Sequence, residues 1–256
     1  MSTFVHFVAD YGKSDPAFSE VVHRLRAELD DVQIQSTAVT PLSTVATGFW
    51  VEQLGLHNPA FDDLLIYSNT APRATADAQQ ETGGGDLCYL RLTNGVPVVA
   101  VDAGYNLSFV RDHVEEFRTV EIPDGGSQFR SRDYFPQRVA EIADGDRSSL
   151  GSTRSSADIP AKPSSVVCHV DGYGNVKTSL RASAFEYEGD EVTVSIEGEA
   201  TTVGVTDAVS DIEAGALGIV PGSAGGADPY MELFLRGGSA ATHFDDPRPG
   251  DDVSIS

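Results

Sequence analysis

The chain has 256 residues and a formal charge of -22, from 39 acidic and 17 basic side chains, which is length enough for one large domain or two ordinary ones. Lys13, Lys162 and Lys177 are its lysines, and carboxylates in such excess suit a protein kept soluble in concentrated salt, with an ordinary acidic protein as the alternative. The charge argues against a nucleic-acid partner, whose phosphates need a basic patch; no apolar run is long enough for a membrane span and no leader stands at the N-terminus, so the expected location is cytoplasmic.

The run "TFVHFVAD" reads as a strand covered on both faces. It leads into "SDPAFSEVVHRLRAELDD", where Phe18, Val21, Val22, Leu25 and Leu29 recur at helical spacing. Pro16 suits the first helical position behind an Asp15 cap. Trp50 in "GFWVEQLG" reads as core. "FDDLLIYS" and "GVPVVAVDAG" are further buried strands, and "GGGDLCYLRLTNGVPVVAV" is a hairpin turning at Asn94-Gly95. "SRDYFPQRVAEIADG" shows a helical apolar face through Phe135, Val139 and Ile142. Strands alternating with helices predict an α/β domain over 1–148, with a mostly parallel sheet and flanking helices.

Residues 149–164 fall in a Ser-, Gly- and Pro-rich stretch without apolar period and read as a linker. Period-two patterns such as "SVVCHVDGYGNVKTSL" and "EVTVSIEGEATTVGV" then predict an antiparallel, barrel-like all-β domain over 165–256. Cys88 and Cys168 lie far apart in apolar runs and read as small core residues, not a disulfide.

Candidate chemistry sits at strand ends, where open α/β sheets bind ligands. Asp10, Ser68 and Asp102 follow "FVHFVA", "LLIY" and "VVAV". In "VDGYGNVKT" two glycines make a tight turn from which Asp171, Tyr173 and Asn175 project; an ordinary hairpin turn explains the same spacing. His169 and Asp171 share a strand face but lack a third ligand, so no metal is expected. The histidines have no Ser or Cys nucleophile context, which argues against a hydrolase triad. "ETGGGDL" precedes a strand and has no lysine, so it does not read as a phosphate loop.

Taken in order, these segments resemble the S-adenosylmethionine (SAM) hydroxide adenosyltransferase family, whose relatives include the SAM-dependent fluorinase and chlorinase. "ADYGKSDPAF" is similar to that family's TDFG-x-x-D-P-Y, and "VVAVDAGYN" to its PDNG segment. "QFRSRDYFPQRVAEIADG" resembles F-x-G-R-D-x-F-x-P-x-A-x-x-L-x-x-G, and "VDGYGNVKTSL" resembles D-x-F-G-N-x-x-T-N. The resemblance implies an α/β domain, a β-barrel, and a homotrimer with each ligand site shared between subunits. It implies that Asp10 binds ribose hydroxyls, Asp15 lines the same pocket, Asp171 meets the methionine ammonium and Asn175 reads adenine. Asp102, Phe129 and Tyr173 join that binding set. SAM is then a substrate, and no separate cofactor is implied.

The chain departs from the pattern around the nucleophile. Ser68 replaces the hydrolases' Asp, Arg130 replaces their His, and the Arg position falls near Thr75, with Arg73 as a substitute if the loop shifts. Shifted by one residue, Tyr67 and Thr70 match the halogenases' Tyr and Thr, and Ser131 matches a fluorinase serine. Leu42 replaces their tryptophan, and Gly226-Ala227 an Asn-Ser pair. The expected catalytic set is therefore Tyr67, Ser68, Thr70, Arg130 and Ser131. Hydrolysis of SAM to adenosine and methionine leads; chlorination and non-catalytic binding of SAM or adenosine are the alternatives.

Overall fold

A computed structural model describes residues 3–12, 14–71, 85–123 and 127–256, and the chain divides into two units, Met1–Lys162 and Pro163–Ser256. In the first unit, strand β1 (Thr3–Ala9) is followed by helix α1 (Pro16–Glu28), capped by Asp15, whose Oδ1 accepts from the Ala17 N–H at 2.9 Å. Strand β2 (Val32–Ala38) and helix α2 (Thr44–Leu56) precede β3 (Leu64–Asn69), which is buried throughout. The β4 (Leu87–Leu92) and β5 (Pro97–Val101) hairpin turns at Asn94-Gly95, where Gly95 has a φ of 89°. Strand β6 (Val114–Val120), helices α3 (Arg130–Asp133) and α4 (Phe135–Ala143), and β7 (Leu150–Thr153) complete the unit.

The sheet order is β2-β1-β3-β5-β4-β6-β7, with β4 and β7 running against the other strands. The mostly parallel sheet and flanking helices are as expected. Val5, Phe7, Leu65, Tyr67, Tyr89 and Val99 face α1 and α4, while Ile66, Leu90 and Val98 share the opposite cluster with Val51 of α2. That alternation decides which side chains can meet at the strand ends.

Several elements differ from the sequence reading. Residues 150–153 are not linker: they form β7, paired to β6, and the stretch continues into a 3-10 turn at Ser156–Asp158 held by a capping box. Ile159 behind it is buried in the core. The helical apolar face expected through Phe135, Val139 and Ile142 is that of α4, but a separate short helix, α3, precedes it, the two parting at Tyr134 ahead of Pro136. Helix α2 and strands β2 and β6 were not anticipated; α2 is buried on nearly every side, so it has no polar face to set a period.

The second unit holds β8 (Val167–Val170), β9 (Val176–Arg181), β10 (Glu191–Ile196), β11 (Glu199–Val205), β12 (Leu217–Pro221), β13 (Tyr230–Leu235), short helix α5 (Ala240–His243) and β14 (Val253–Ile255). Its order is β14-β10-β11-β12-β13-β9-β8, and a Val166–Asp252 bridge links the two ends into a nearly closed barrel. The expectation of antiparallel pairing holds except between β11 and β12, which pair in parallel. Val194, Ile196, Ile219 and Leu233 fill its centre. Both cysteines are buried, and neither is in a disulfide.

Candidate functional site

Three strand ends in the first unit gather the predicted residues. Asp10, 6% exposed just after β1, accepts the Leu42 N–H at 3.0 Å and the Ala71 N–H at 3.1 Å on Oδ2. Its own N–H donates to the Asn69 carbonyl at 3.3 Å. One carboxylate thus ties the β1 end to the segments after β2 and β3. Leu42 is held at a φ of 64°, half exposed, a conformation that L residues with a Cβ rarely take.

Strand alternation then splits the expected catalytic set in two. Tyr67 lies on the α1 face, fully buried and stacked on Phe7 at 4.8 Å between centroids. Tyr11 joins it there, edge-on to Phe18 at 5.7 Å and to Phe129 at 6.1 Å. Asn69 Nδ2 donates to both phenols, at 2.9 Å to Tyr11 and 3.3 Å to Tyr67. The Tyr11 hydroxyl also hydrogen-bonds Ser131. Burial pushes both phenol pKa values well up, and for Tyr11 the Asp10 and Asp15 carboxylates add to the rise while Ser131 and Asn69 oppose it. These hydroxyls are therefore neutral donors at any ordinary pH.

Thr70 instead meets α2: its hydroxyl lies 2.5 Å from that of Thr47, and both are fully buried. Ser68 points to the same side as Ile66, fully buried, and its Oγ has no hydrogen-bond partner among the described residues. Arg130 lies over the Phe135 ring at 5.5 Å. Phe129 carries the Arg132 guanidinium at 5.2 Å. Arg73 and Thr75 lie outside the described residues. Among the described residues, no cluster of three His, Cys, Asp or Glu could hold a metal.

Asp102 follows β5 but is engaged within the unit: its Oδ2 accepts from Arg154 Nη1 at 2.6 Å, and that guanidinium covers Phe117 at 4.3 Å. The turn after it is braced by fully buried Asn106, which donates to the Val101 carbonyl and accepts the Ala103 N–H.

The second unit builds its candidate residues from one hairpin turn between β8 and β9. Asp171 Oδ1 accepts the Tyr173 and Asn175 N–H groups at 2.9 and 3.0 Å, and Oδ2 accepts Asn175 Nδ2 at 2.9 Å. Burial works against ionisation of Asp171, but these donors and the Lys177 charge outweigh it and lower its pKa. Asp171 is therefore an ionised hub, and Asn175 is oriented by it. Tyr173 stands out at 84% exposed. Gly174, at a φ of 82°, lets the turn approach α5: a Cβ there would stand 2.1 Å from Ser239 Oγ, and the Gly174 carbonyl accepts the Ala241 N–H at 2.8 Å. Behind the turn, Lys177 Nζ lies 2.5 Å from Oε1 of the buried Glu232, and His169 sits opposite Lys177 on the neighbouring strand.

Sequence reading missed Asn69, Tyr11, Thr47 and Glu232. For Asn69 the signal was present: it stands two residues past Tyr67, so period-two alternation puts both on one face. Tyr11 and Thr47 became partners only through tertiary packing.

Residues 165–254 match the family model of the SAM hydroxide adenosyltransferase C-terminal domain. The fold is similar to the crystal structure of an uncharacterized conserved protein from Thermotoga maritima, with a TM-score of 0.78, 20% identity, and coverage of 98% of this chain and 100% of that one. A conserved hypothetical protein from Thermus thermophilus is similar at a TM-score of 0.69 and 19% identity, over 100% of both chains. No curated protein matches. At these identities the solved structures speak to the fold, and it is the match over residues 165–254 that ties the chain's C-terminal unit to the SAM hydroxide adenosyltransferase family.

Proposed function

We propose that the protein cleaves SAM, displacing methionine from the ribose C5′ carbon with water or hydroxide to give adenosine and L-methionine. The observation that carries this reading is the SAM hydroxide adenosyltransferase match over residues 165–254, which contains the Asp171–Asn175 turn. An ionised Asp171 suits the methionine ammonium, and Asn175 offers an amide edge to adenine. In the first unit, a carboxylate has about four acceptor sites, so Asp10 can hold two backbone N–H groups and still accept a ribose hydroxyl. Asp15 and Phe129 border the same strand ends.

The attacking oxygen forms the new bond to C5′ as the C–S bond breaks. The bonding pair leaves on sulfur as a neutral thioether, so no general acid is needed, and the water proton passes to solvent. Alignment and partial desolvation of the nucleophile then supply the acceleration. The protonated Tyr67 and Tyr11 hydroxyls suit an oxygen lone pair, and they suit chloride as well. The separation of Ser68 and Thr70 from Tyr67 by the sheet favours a second reading, a binder of SAM or adenosine without turnover. We further propose a homotrimer in which N-terminal residues of one copy and C-terminal residues of another serve one substrate.

Incubation with SAM in high salt, with and without chloride, followed by product analysis, tests these readings. Adenosine is the expected product. 5′-Chloro-5′-deoxyadenosine would replace hydrolysis by halide transfer, and calorimetric binding without product would leave the binder. In the same calorimetry, Asp10→Ala is expected to weaken adenosine binding by about 1–3 kcal/mol; unchanged affinity removes Asp10 from the site.

A further inference from the structure

One carboxamide serves two phenols on the α1 face. Asn69, 4% exposed, donates through Nδ2 to Tyr11 at 2.9 Å and to Tyr67 at 3.3 Å. Its main chain is fixed as well, because its carbonyl accepts the Asp10 N–H. A phenol has one hydrogen to give and lone pairs to receive. With a lone pair on each oxygen taken by the amide, the hydrogens of Tyr11 and Tyr67 are donated away from Asn69. Ser131 also donates to the Tyr11 oxygen, which leaves the Tyr11 hydrogen free to point elsewhere.

We infer that Asn69 is a positioning residue that orients the Tyr11 and Tyr67 hydroxyls as hydrogen donors toward the attacking nucleophile. The inference rests on the SAM-cleaving reading for its chemistry, and on the hydrogen-bond geometry alone for the orientation. Asn69 touches no reacting atom in this account; its effect passes through the phenols.

The test is Asn69→Asp, which keeps the shape and replaces the amide's donors with acceptors, so that both phenols turn their hydrogens inward. Two readouts are taken on the full chain labelled with 13Cζ-tyrosine, the resonances of Tyr11 and Tyr67 being assigned through Tyr11→Phe and Tyr67→Phe. Both resonances are expected to move in Asn69→Asp, and kcat for SAM cleavage to fall about a hundred-fold while the Kd for SAM stays within about two-fold. Asn69→Ala, which frees both phenols without introducing a charge, carries the same test if thermal melting shows that Asn69→Asp does not fold. Unmoved resonances, or a Kd that weakens in step with kcat, overturn the inference. Wild-type protein that binds SAM without cleaving it defeats the hydrolytic reading and the catalytic half of the inference, while the resonances still decide the orientation.

Discussion

Leu42 shows how a single side chain is held in an unfavourable place. Its positive φ is fixed by the Asp10 carboxylate on its N–H, and its apolar side chain is left half exposed at the strand ends. The left-handed conformation costs a residue with a Cβ about 1–2 kcal/mol, and glycine would return about 0.5–1 kcal/mol of that as added freedom in the unfolded chain. Leu42→Gly is therefore expected to stabilise the protein by about 0.5 kcal/mol in denaturant titrations. If Leu42 borders the substrate, the same variant weakens SAM binding, and stability and affinity move in opposite directions. A loss of stability would mean that the exposed leucine packs better than its surface suggests. Strain kept at a ligand-facing position is where such conformations tend to be found.

At the scale of elements, the β8–β9 turn and its supporting strands make the second unit sensitive to acid. Burial lowers the pKa of His169, with the Lys177 charge adding to the effect and Asp171 opposing it. A histidine that is harder to protonate folded than unfolded contributes stability above its unfolded value near 6.5. That contribution is lost as pH falls from there through the lower folded value. The lowered pKa of Asp171 acts the same way at more acid pH: its contribution is present above about 3.9 and lost below. Melting temperature is thus expected to fall in two stages on acidification, and His169→Gln to remove the first stage only. A first stage that survives in His169→Gln would assign it elsewhere, with His6 of the first unit, whose pKa is also lowered by burial, as the next group to test.

The same elements show what the sequence made legible. Pro16 behind Asp15 announced α1, Asn94-Gly95 announced a hairpin, and the β8–β9 turn was visible from its two glycines. Each rests on local chemistry that does not wait for the fold. Helix α2 stayed hidden because it is buried almost all round, and β7 because four residues with a serine and a threonine carry no hydrophobic period. The strand-end aspartates could be singled out from the chain, but not that Asp102 would be engaged by Arg154, fifty-two positions away. Nor could the division of Tyr67 from Ser68 and Thr70 be used until the two faces of β3 had been given helices to pack on.

For the molecule as a whole, charge dominates. With 39 acidic against 17 basic side chains, self-repulsion opposes folding in dilute buffer, and screening shortens its reach from about 30 Å at 0.01 M salt to about 3 Å at 1 M. The melting temperature is expected to rise as KCl is raised from 0.01 M to 1 M in scanning calorimetry. A flat or falling profile would show that local ion pairs such as Arg138–Glu141 and Arg154–Asp102 outweigh the net charge.

The bridge between Val166 and Asp252 has a topological consequence. Since Ser165 and Val253 are hydrogen-bonded neighbours, the second unit is a ring of strands whose entry and exit lie side by side. Such a ring can be opened at an exposed turn and rejoined across that seam by a short splice, keeping every strand beside its present neighbours. The order in which its strands are synthesised is therefore separable from the shape they reach.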